Sequence, residues 1–565
     1  MKTTKTIFTA IGLMLVFLFQ SNTIQGQAPN WAWTDYAGSA NEDIARAIKV
    51  DASGNVYAGG SFQSTSLTFG GVTLNNPNGT SSDMLLTKYN ASGSLVWAKC
   101  ATGHNLSVTR TVEIDAAGNI YAGGYFADTI VFGSTTLINP NSGINNNIFD
   151  IYIVKYDPNG NVIWAKSAGS TDADYLYSVS CSGSSLYLTG FFSGQNINFG
   201  ATTLTNANNG SGDMYLAKCD TAGNFIWAKS AGGNRADVGG SVSCDATGNI
   251  FVTGNYSSAS ITFGANVLAN TDNTGATADV YLVKYNSAGV VQWAKSTGGS
   301  ANDYAISSAV DATGNAFMSG YYFSPTIPFG TTTLNNAGVC DAYIAKYDGN
   351  GNSLWANGLG GTSNDFSFGM ATDASGNCFL GGDFGSATLT AGTTTLTNAG
   401  LGDLYIVKYD GSGNIVWATS AGGNDDDEAI SVATDAPGNV YVGGGFASTS
   451  ITLGSNTYTN MGSYDFYIGK IGNLTTGITG NENAGSNVNI FPNPFSQSAT
   501  IQIKNQETKN GYLKLYDVFG KIVLNMEMQN ENEKLYRNNL PAGIYFYEIT
   551  NQSGNVSKGK LVIEE

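Results

Sequence analysis

The chain of 565 residues contains one histidine, His104. That scarcity excludes a three-histidine zinc centre and an H-E-x-x-H helix, and a histidine-dependent serine triad would have to be built around this one side chain. Basic residues are also few, 25 Lys plus Arg against 42 Asp plus Glu, for a formal charge of −17. The acidity sits between residues 28 and 471, where 33 acids face 15 bases. Such a field repels phosphate backbones and anionic bilayers, so nucleic acid is not an expected partner. No G-x-x-x-x-G-K-[ST] occurs, and the glycine pairs fall between strand-like segments rather than ahead of helices, which argues against a phosphate loop. Cys100, Cys181, Cys219, Cys244, Cys340 and Cys378 form no C-x-x-C and no fixed framework. They read as buried free thiols, with Cys181 to Cys244 the one pairing that adjacent repeat units would favour. Past the N-terminal region no run of about 18 apolar residues exists, so no helical transmembrane segment is expected in the mature chain.

What is present in abundance is glycine, 73 residues, tyrosine, 30 residues, and a repeat. A Trp recurs at Trp33, Trp97, Trp164, Trp227, Trp293, Trp355 and Trp417, followed by Ala in every copy but the first, where Thr34 stands. After most copies comes a D-x-x-G-N turn, as in Asp311 to Asn315, and each unit closes on an aspartate, alternating apolar residues and a lysine, as in Asp341 to Lys346. Each unit reads as four short aromatic or β-branched strands bounded by Gly, Asn and Asp. The segments between second and third strands, such as FQSTSLTFGGVTLNNPNGTSS, alternate like an added short hairpin. One such sheet is apolar on both faces and must be covered by neighbours. Radial stacking is preferred to an open solenoid because the repeat phase is offset at the ends. The chain begins with only the last strand of a unit, at residues 29–38, and leaves after three strands, at Asp465 to Ile471. The first strand can therefore complete the last sheet and remove both edges. The expected fold is all-β, a seven-bladed β-propeller over 29–471 with strand-exchange closure, and the Trp residues are its repeat core.

After Lys470 the period stops. Residues 472–487 read as a Gly, Asn and Thr-rich linker, and residues 488–565 as a small β-sandwich. Residues 1–26, with Lys2 and Lys5 ahead of the apolar run Ile7 to Phe19, read as a secretory signal peptide.

The D-x-x-G-N-x-[YF]-x-x-G core resembles the bacterial seven-bladed β-propeller repeat family found in exported proteins, which implies a fold and no single activity. The C-terminal module carries Pro492-Asn493-Pro494-Phe495, Tyr516-Asp517-Val518-Phe519-Gly520, Leu540-Pro541-Ala542-Gly543-Ile544-Tyr545 and Lys558-Gly559-Lys560-Leu561-Val562. It resembles the type A C-terminal sorting domain of the type IX secretion system of Bacteroidota. That resemblance implies the type IX machinery as a partner, passage across the outer membrane, and an extracellular or surface-attached product.

No catalytic residue is assigned. The candidate site is an acidic set, one residue in the loop after each Trp strand: Asp43, Asp174, Asp237, Asp303, Asp365 and Asp427, with the second unit deviating near Val108. By topology these six would ring the mouth of a central channel. Two roles compete: capping of their own turns, and a ring that collects cations, in which Ca2+ is the only cofactor considered. The strings Asp157 to Asn161 and Asp410 to Asn414 open like calcium loops but lack the glutamate twelve positions on, and read as hairpin turns. The functional expectation is a surface or extracellular binding or structural module for a glycan or protein ligand. The alternative is a polysaccharide-active hydrolase or lyase using channel-mouth carboxylates.

Overall fold

The computed structural model describes residues 28–472 and 488–564, apart from 78, 80, 104, 142–147, 209, 273, 504–510, 518–520, 529, 531 and 551–555. The expected signal peptide, nearly all of the linker, His104 and Gly520 lie outside the described residues. Two compact units are separated, Met1–Gly472 and Asn473–Glu565.

The first unit is built of repeated four-stranded antiparallel sheets in a propeller-like arrangement. Seven such sheets are described, numbered here by their first strands: Asp43–Val50, Ser107–Ile114, Asp174–Ser182, Asp237–Cys244, Asp303–Val310, Asp365–Thr372 and Asp427–Thr434. In sheet 5, for example, Asp303–Val310 pairs with Ala316–Tyr322, that with Asp341–Tyr347, and that with Ser353–Leu359. The tight joins are Asx turns in which the leading Asp or Asn accepts the amides two and four residues on. In the turn after the third strand, Asp348 accepts from the Asn350 and Asn352 amides at 2.9 Å each and from Asn352 Nδ2 at 2.8 Å. The inserted segments form two-stranded hairpins, such as Thr326–Phe329 with Thr332–Asn335.

Sheet 7 takes its fourth strand from the start of the chain: Trp31–Ala37 pairs antiparallel with Asp465–Ile471, aligning Trp33 with Lys470. Apolar cores lie between successive sheets. Phe251, Val280 and Leu282 of sheet 4 pack with Met318, Tyr343 and Ala345 of sheet 5, and Tyr441 and Ile468 of sheet 7 pack with Ile48, Ala58 and Leu85 of sheet 1. All seven first strands line one cavity of about 840 Å³.

The repeated Trp explains how adjacent sheets are fixed. It lies on the fourth strand beneath the turn after the third strand of the next sheet. Trp293 Nε1 and Lys284 Nζ of sheet 4 both donate to the Gly349 carbonyl of sheet 5, at 3.1 and 3.0 Å. The same latch joins Trp164 and Lys155 to Thr221, and Trp355 and Lys346 to Gly411. Each latch lysine also lies over an aromatic ring of its own second strand, from 4.8 Å for Lys346 on Phe317 to 5.3 Å for Lys218 on Tyr187. Gly351, two residues past the accepting carbonyl, has φ of 81°, and a Cβ there would lie 2.9 Å from the Trp293 ring. Glycine answers both demands.

The second unit is a three-stranded sheet, in the order 488–491, 498–503 and 532–536, and a four-stranded sheet, in the order 522–528, 511–516, 543–550 and 556–563. Leu513, Leu515, Ile501, Ile549 and Leu561 are buried between them. Asn493 brackets the last strand, donating from Nδ2 to the Lys560 carbonyl at 2.9 Å and accepting from the Val562 amide at 2.8 Å. Pro492 and Pro494 flank it, Gly543 opens the strand 543–550, and Lys560 is exposed on the final strand.

Candidate functional site

Asp43, Asp174, Asp237, Asp303, Asp365 and Asp427 are each the first residue of a first strand, and each is 0 % exposed. None of them lines the cavity. Their geometry is that of a cap. Asp303 accepts from the Gly299 amide at 2.9 Å, the Ser324 amide at 3.2 Å and Ser324 Oγ at 2.8 Å, and Ser324 Oγ in turn accepts from the Ala301 amide at 3.0 Å. Asp237, Asp365 and Asp427 repeat this set with Ser258, Ser386 and Ser448. An anion that ties a loop to the second strand in this way is held off solvent by the donors it serves. In sheet 2 the equivalent residue is Ser107 rather than Val108: its amide donates to Ser82 O as that of Asp237 does to Gly212 O.

In sheet 3 the cap keeps its chemistry with the donors exchanged. Ser170 stands where sheet 4 has Gly233, and Gly194 where sheet 4 has Ser258. Ser170 supplies both its amide and its Oγ to Asp174. A Cβ on Gly194 would meet Ser170 Oγ at 2.3 Å, and one on Gly233 would meet Ser258 Oγ at 2.6 Å. Sheets 3 and 4 thus place a single hydroxyl-bearing side chain on opposite sides of the cap, whereas sheet 1 carries one on each, Ser39 and Ser64.

Each buried cap faces a second buried aspartate, the first residue of the preceding sheet's third strand: Asp303 with Asp279, Asp237 with Asp213, Asp427 with Asp403, Asp43 with Asp465. Burial is the main cause of a rise in all of these carboxyls, to about 6 in Asp237 and Asp303 and about 7 in Asp43 and Asp427, and in these four caps the neighbouring carboxyl adds to it. Among the described residues no group of three or more His, Cys, Asp or Glu side chains is placed to hold a metal ion. The turn carboxylates Asp157 and Asp410 spend their oxygens on their own turns, each accepting from the amides two and four residues on and from an Asn Nδ2.

The cavity is lined by a different column. Three residues after the cap, each first strand carries a β-bulge, seen in the register jumps from Ala45 to Ala47, Leu176 to Ser178, Ala305 to Ser307 and Ser367 to Gly369. The unpaired residues are Arg46, Arg110, Tyr177, Gly240, Ile306, Phe368 and Ile430, and all seven line the cavity. A bulge re-aims one residue per strand, and here the seven positions carry five residue types: Arg twice, Ile twice, Tyr, Gly and Phe. Arg46 pairs with Glu42 at 2.8 Å. Arg110 lies 5.4 Å from the Tyr177 ring centroid and has no hydrogen-bond or ion-pair partner among the described residues.

The rim beside this column is equally uneven. Tyr175 stacks on Phe191 at 4.8 Å and meets Tyr125 at 4.7 Å. Across sheets 5 and 6, Tyr321 meets Phe366 at 4.8 Å and Tyr304 at 5.2 Å. All these rings are partly exposed. Sheets 6 and 7 add Asp383, Asp426 and Glu428. Asp383 is 9 % exposed, its Oδ1 has no hydrogen-bond partner, and burial followed by the nearby Glu428 and Asp426 charges drives its carboxyl well above the ordinary range. Sequence reasoning missed this column; the signal was the third position after the cap, read down the seven copies.

All six cysteines are free, and Cys181 and Cys244 line the cavity from neighbouring first strands. No helix among the described residues is long and apolar enough to cross a membrane.

Residues 489–564 match the family model of the secretion system C-terminal sorting domain. Over 472 aligned residues, 69 % of this chain, the sequence is 25 % identical to an uncharacterised WD repeat-containing protein of Acanthamoeba polyphaga mimivirus, and the chain spans 33 % of that relative's length. Among solved structures, Sqt1 from Chaetomium thermophilum aligns over 78 % of this chain and 86 % of its own at 10 % identity and a TM-score of 0.34. PorZ, a surface component of the type IX secretion system of Porphyromonas gingivalis, aligns over 94 % and 100 % at 11 % identity and a TM-score of 0.15. The sorting domain marks the chain as a protein secreted to the cell surface or the extracellular space.

Proposed function

We propose that the seven sheets close into a seven-bladed propeller, completed by Trp31–Ala37, and that this exported module binds a glycan or protein ligand at the channel mouth where the first strands begin. In this reading residues 1–26 are the signal peptide, 29–471 the propeller, 472–487 the linker and 488–565 the sorting domain read by the type IX machinery. Closure is supported by the core shared between sheets 7 and 1 and by the Ile48 amide of sheet 1, which donates to Ser431 Oγ of sheet 7 at 3.0 Å.

One observation carries the binding role. The cap, latch and turn residues are near-copies from sheet to sheet, whereas the bulge column and its rim are not, and a purely architectural ring has no use for five residue types, from Gly to Arg, at one position. The test is an array of glycans and peptides probed with the full chain and with Phe368→Ala. Binding that is lost in the variant supports the reading, and binding that is indifferent to the channel mouth overturns it.

The polysaccharide-active alternative narrows to Asp383, Asp426 and Glu428. Asp383 and Glu428 have no carboxylate at the corresponding positions of the other sheets, where Tyr321 and Tyr304 or Phe191 and Tyr175 stand. Release of reducing ends or unsaturated products from a polysaccharide, abolished by Asp383→Asn, would establish it; release that survives the substitution would not.

A further inference from the structure

The bulge column is strongly polarised around the channel. Sheets 1 and 2 contribute Arg46 and Arg110, close enough that Arg110 is the principal charge disfavouring protonated Arg46. Sheet 3 contributes Tyr177, sheet 4 only Gly240, and sheets 5 to 7 contribute Ile306, Phe368 and Ile430. A cationic side therefore faces an apolar and aromatic one, with a gap at Gly240 between them. In a chain of net charge −17 the two guanidinium groups are an exception, and Arg110 is an uncommitted one: its planar fork of donors has a tyrosine ring beside it and no carboxylate. On the rim, Glu428 and Asp426 are partly exposed carboxyls, and Asp383 Oδ1 has no hydrogen-bond partner. Half-exposed rings at Tyr175, Tyr304 and Phe366 provide apolar faces above the bulge level.

Resting on the binding role argued above, we propose that the channel mouth is a site for an acidic saccharide, a glycan carrying carboxylate or sulfate groups, with Arg110 as the anion anchor and Tyr177 and Phe368 as its stacking walls. The chemistry matches part by part. An anionic substituent takes the free guanidinium in a bidentate contact, sugar ring faces lie on aromatic rings, and the remaining hydroxyls meet the rim carboxyls. The cavity of about 840 Å³ lies within the range of roughly 300 to 1,000 Å³ usual for small-ligand sites. Arg46 is held by Glu42 and orients rather than anchors.

The test is calorimetric titration of the full chain with tetragalacturonate, a sulfated chondroitin tetrasaccharide, cellotetraose and tetralysine, in the wild type, Arg110→Gln and Phe368→Ala. The expected result is saturable binding of at least one of the two acidic probes, weakened ten-fold or more by either substitution, with cellotetraose at least ten-fold weaker; the two acidic probes distinguish carboxylate from sulfate as the preferred group. Melting temperatures within a degree or two of wild type show that the variants fold, and Arg110→Lys keeps the test open should Arg110→Gln fail to. Equal binding of cellotetraose, acidic-probe binding indifferent to Arg110, or binding of tetralysine alone overturns the saccharide assignment. In those cases a ligand from the array that is lost in Phe368→Ala leaves the binding role standing, whereas no ligand sensitive to the channel mouth removes both.

Discussion

At the scale of single residues, the repeated unit is held by side chains that each answer two demands. Trp293 closes the inter-sheet core and donates to the next sheet's turn, and Lys284 donates to the same carbonyl while covering Phe251. Trp293→Ala removes a large apolar contact and leaves the Gly349 carbonyl with one donor, so a loss of about 3 kcal/mol is expected, read as a shift in denaturant midpoint. Gly351→Ala, forced into φ of 81° against that indole, is expected to cost about 1–3 kcal/mol; an unchanged midpoint would remove the latch from the account. The paired aspartates make a different prediction. Burial raises their folded-state values, to about 6 in Asp213, Asp237, Asp303 and Asp465 and about 7 in Asp43 and Asp427, above an unfolded value of about 4. The folded state therefore retains protons that the unfolded chain has released. Their contribution is complete below about pH 4 and is lost as pH rises through 6 to 7. The turn aspartates run the other way, with Asp311 lowered to about 2 by its hydrogen bonds from Thr313, Asn315 and Lys346 against the opposing cost of burial. Their stabilisation fails only on strong acidification. Melting curves should show a higher Tm at pH 5 than at pH 8 and a fall below about pH 3. A Tm that rises steadily from pH 5 to 8 would contradict the buried pairs.

At the scale of elements, the strands, tight hairpins and inserted hairpins were legible because their signals are local: alternation over four to eight residues, and Asp, Asn and Gly at turns whose hydrogen bonds stay within five residues. The borrowed strand was legible from the repeat phase alone. The acidic column was legible with two competing roles, capping and a cation-collecting ring, and choosing between them needs the donors around each carboxyl; Gly299 N and Ser324 Oγ come from segments separated in sequence. The bulge column stayed hidden for a related reason. A bulge breaks the period of two, so Arg46 and Tyr177 fall out of the alternation used to sort inner from outer positions. One element carries its own prediction. Removing residues 28–38 strips the fourth strand from sheet 7, exposes the Asp465–Ile471 edge and withdraws Trp33 from beneath Gly93. The shortened chain should melt at a lower temperature and self-associate on a sizing column, and a synthetic peptide of residues 28–38 should reverse both. Unchanged melting would show that the strand is dispensable.

At the scale of the whole molecule, scaffold and address are separate compact units. Deleting residues 488–565 should leave the melting of the repeat unit intact while the protein accumulates inside the outer membrane, read by cell fractionation and protease accessibility. Asn493→Ala, which releases the bracket on the Lys560 and Val562 backbone, should reduce export without touching the repeats. Normal surface delivery of the deletion variant would mean that another segment carries the address.

The seam between Thr34 and Tyr458, whose hydroxyls meet at 2.6 Å across 424 positions of sequence, sets a clock on maturation. The strand Trp31–Ala37 pairs with a segment more than 400 residues later, and closing so long a loop is entropically slow. Until residue 471 has been made, the leading segment has no partner strand, so sheet 7 is completed after the other six have all their strands.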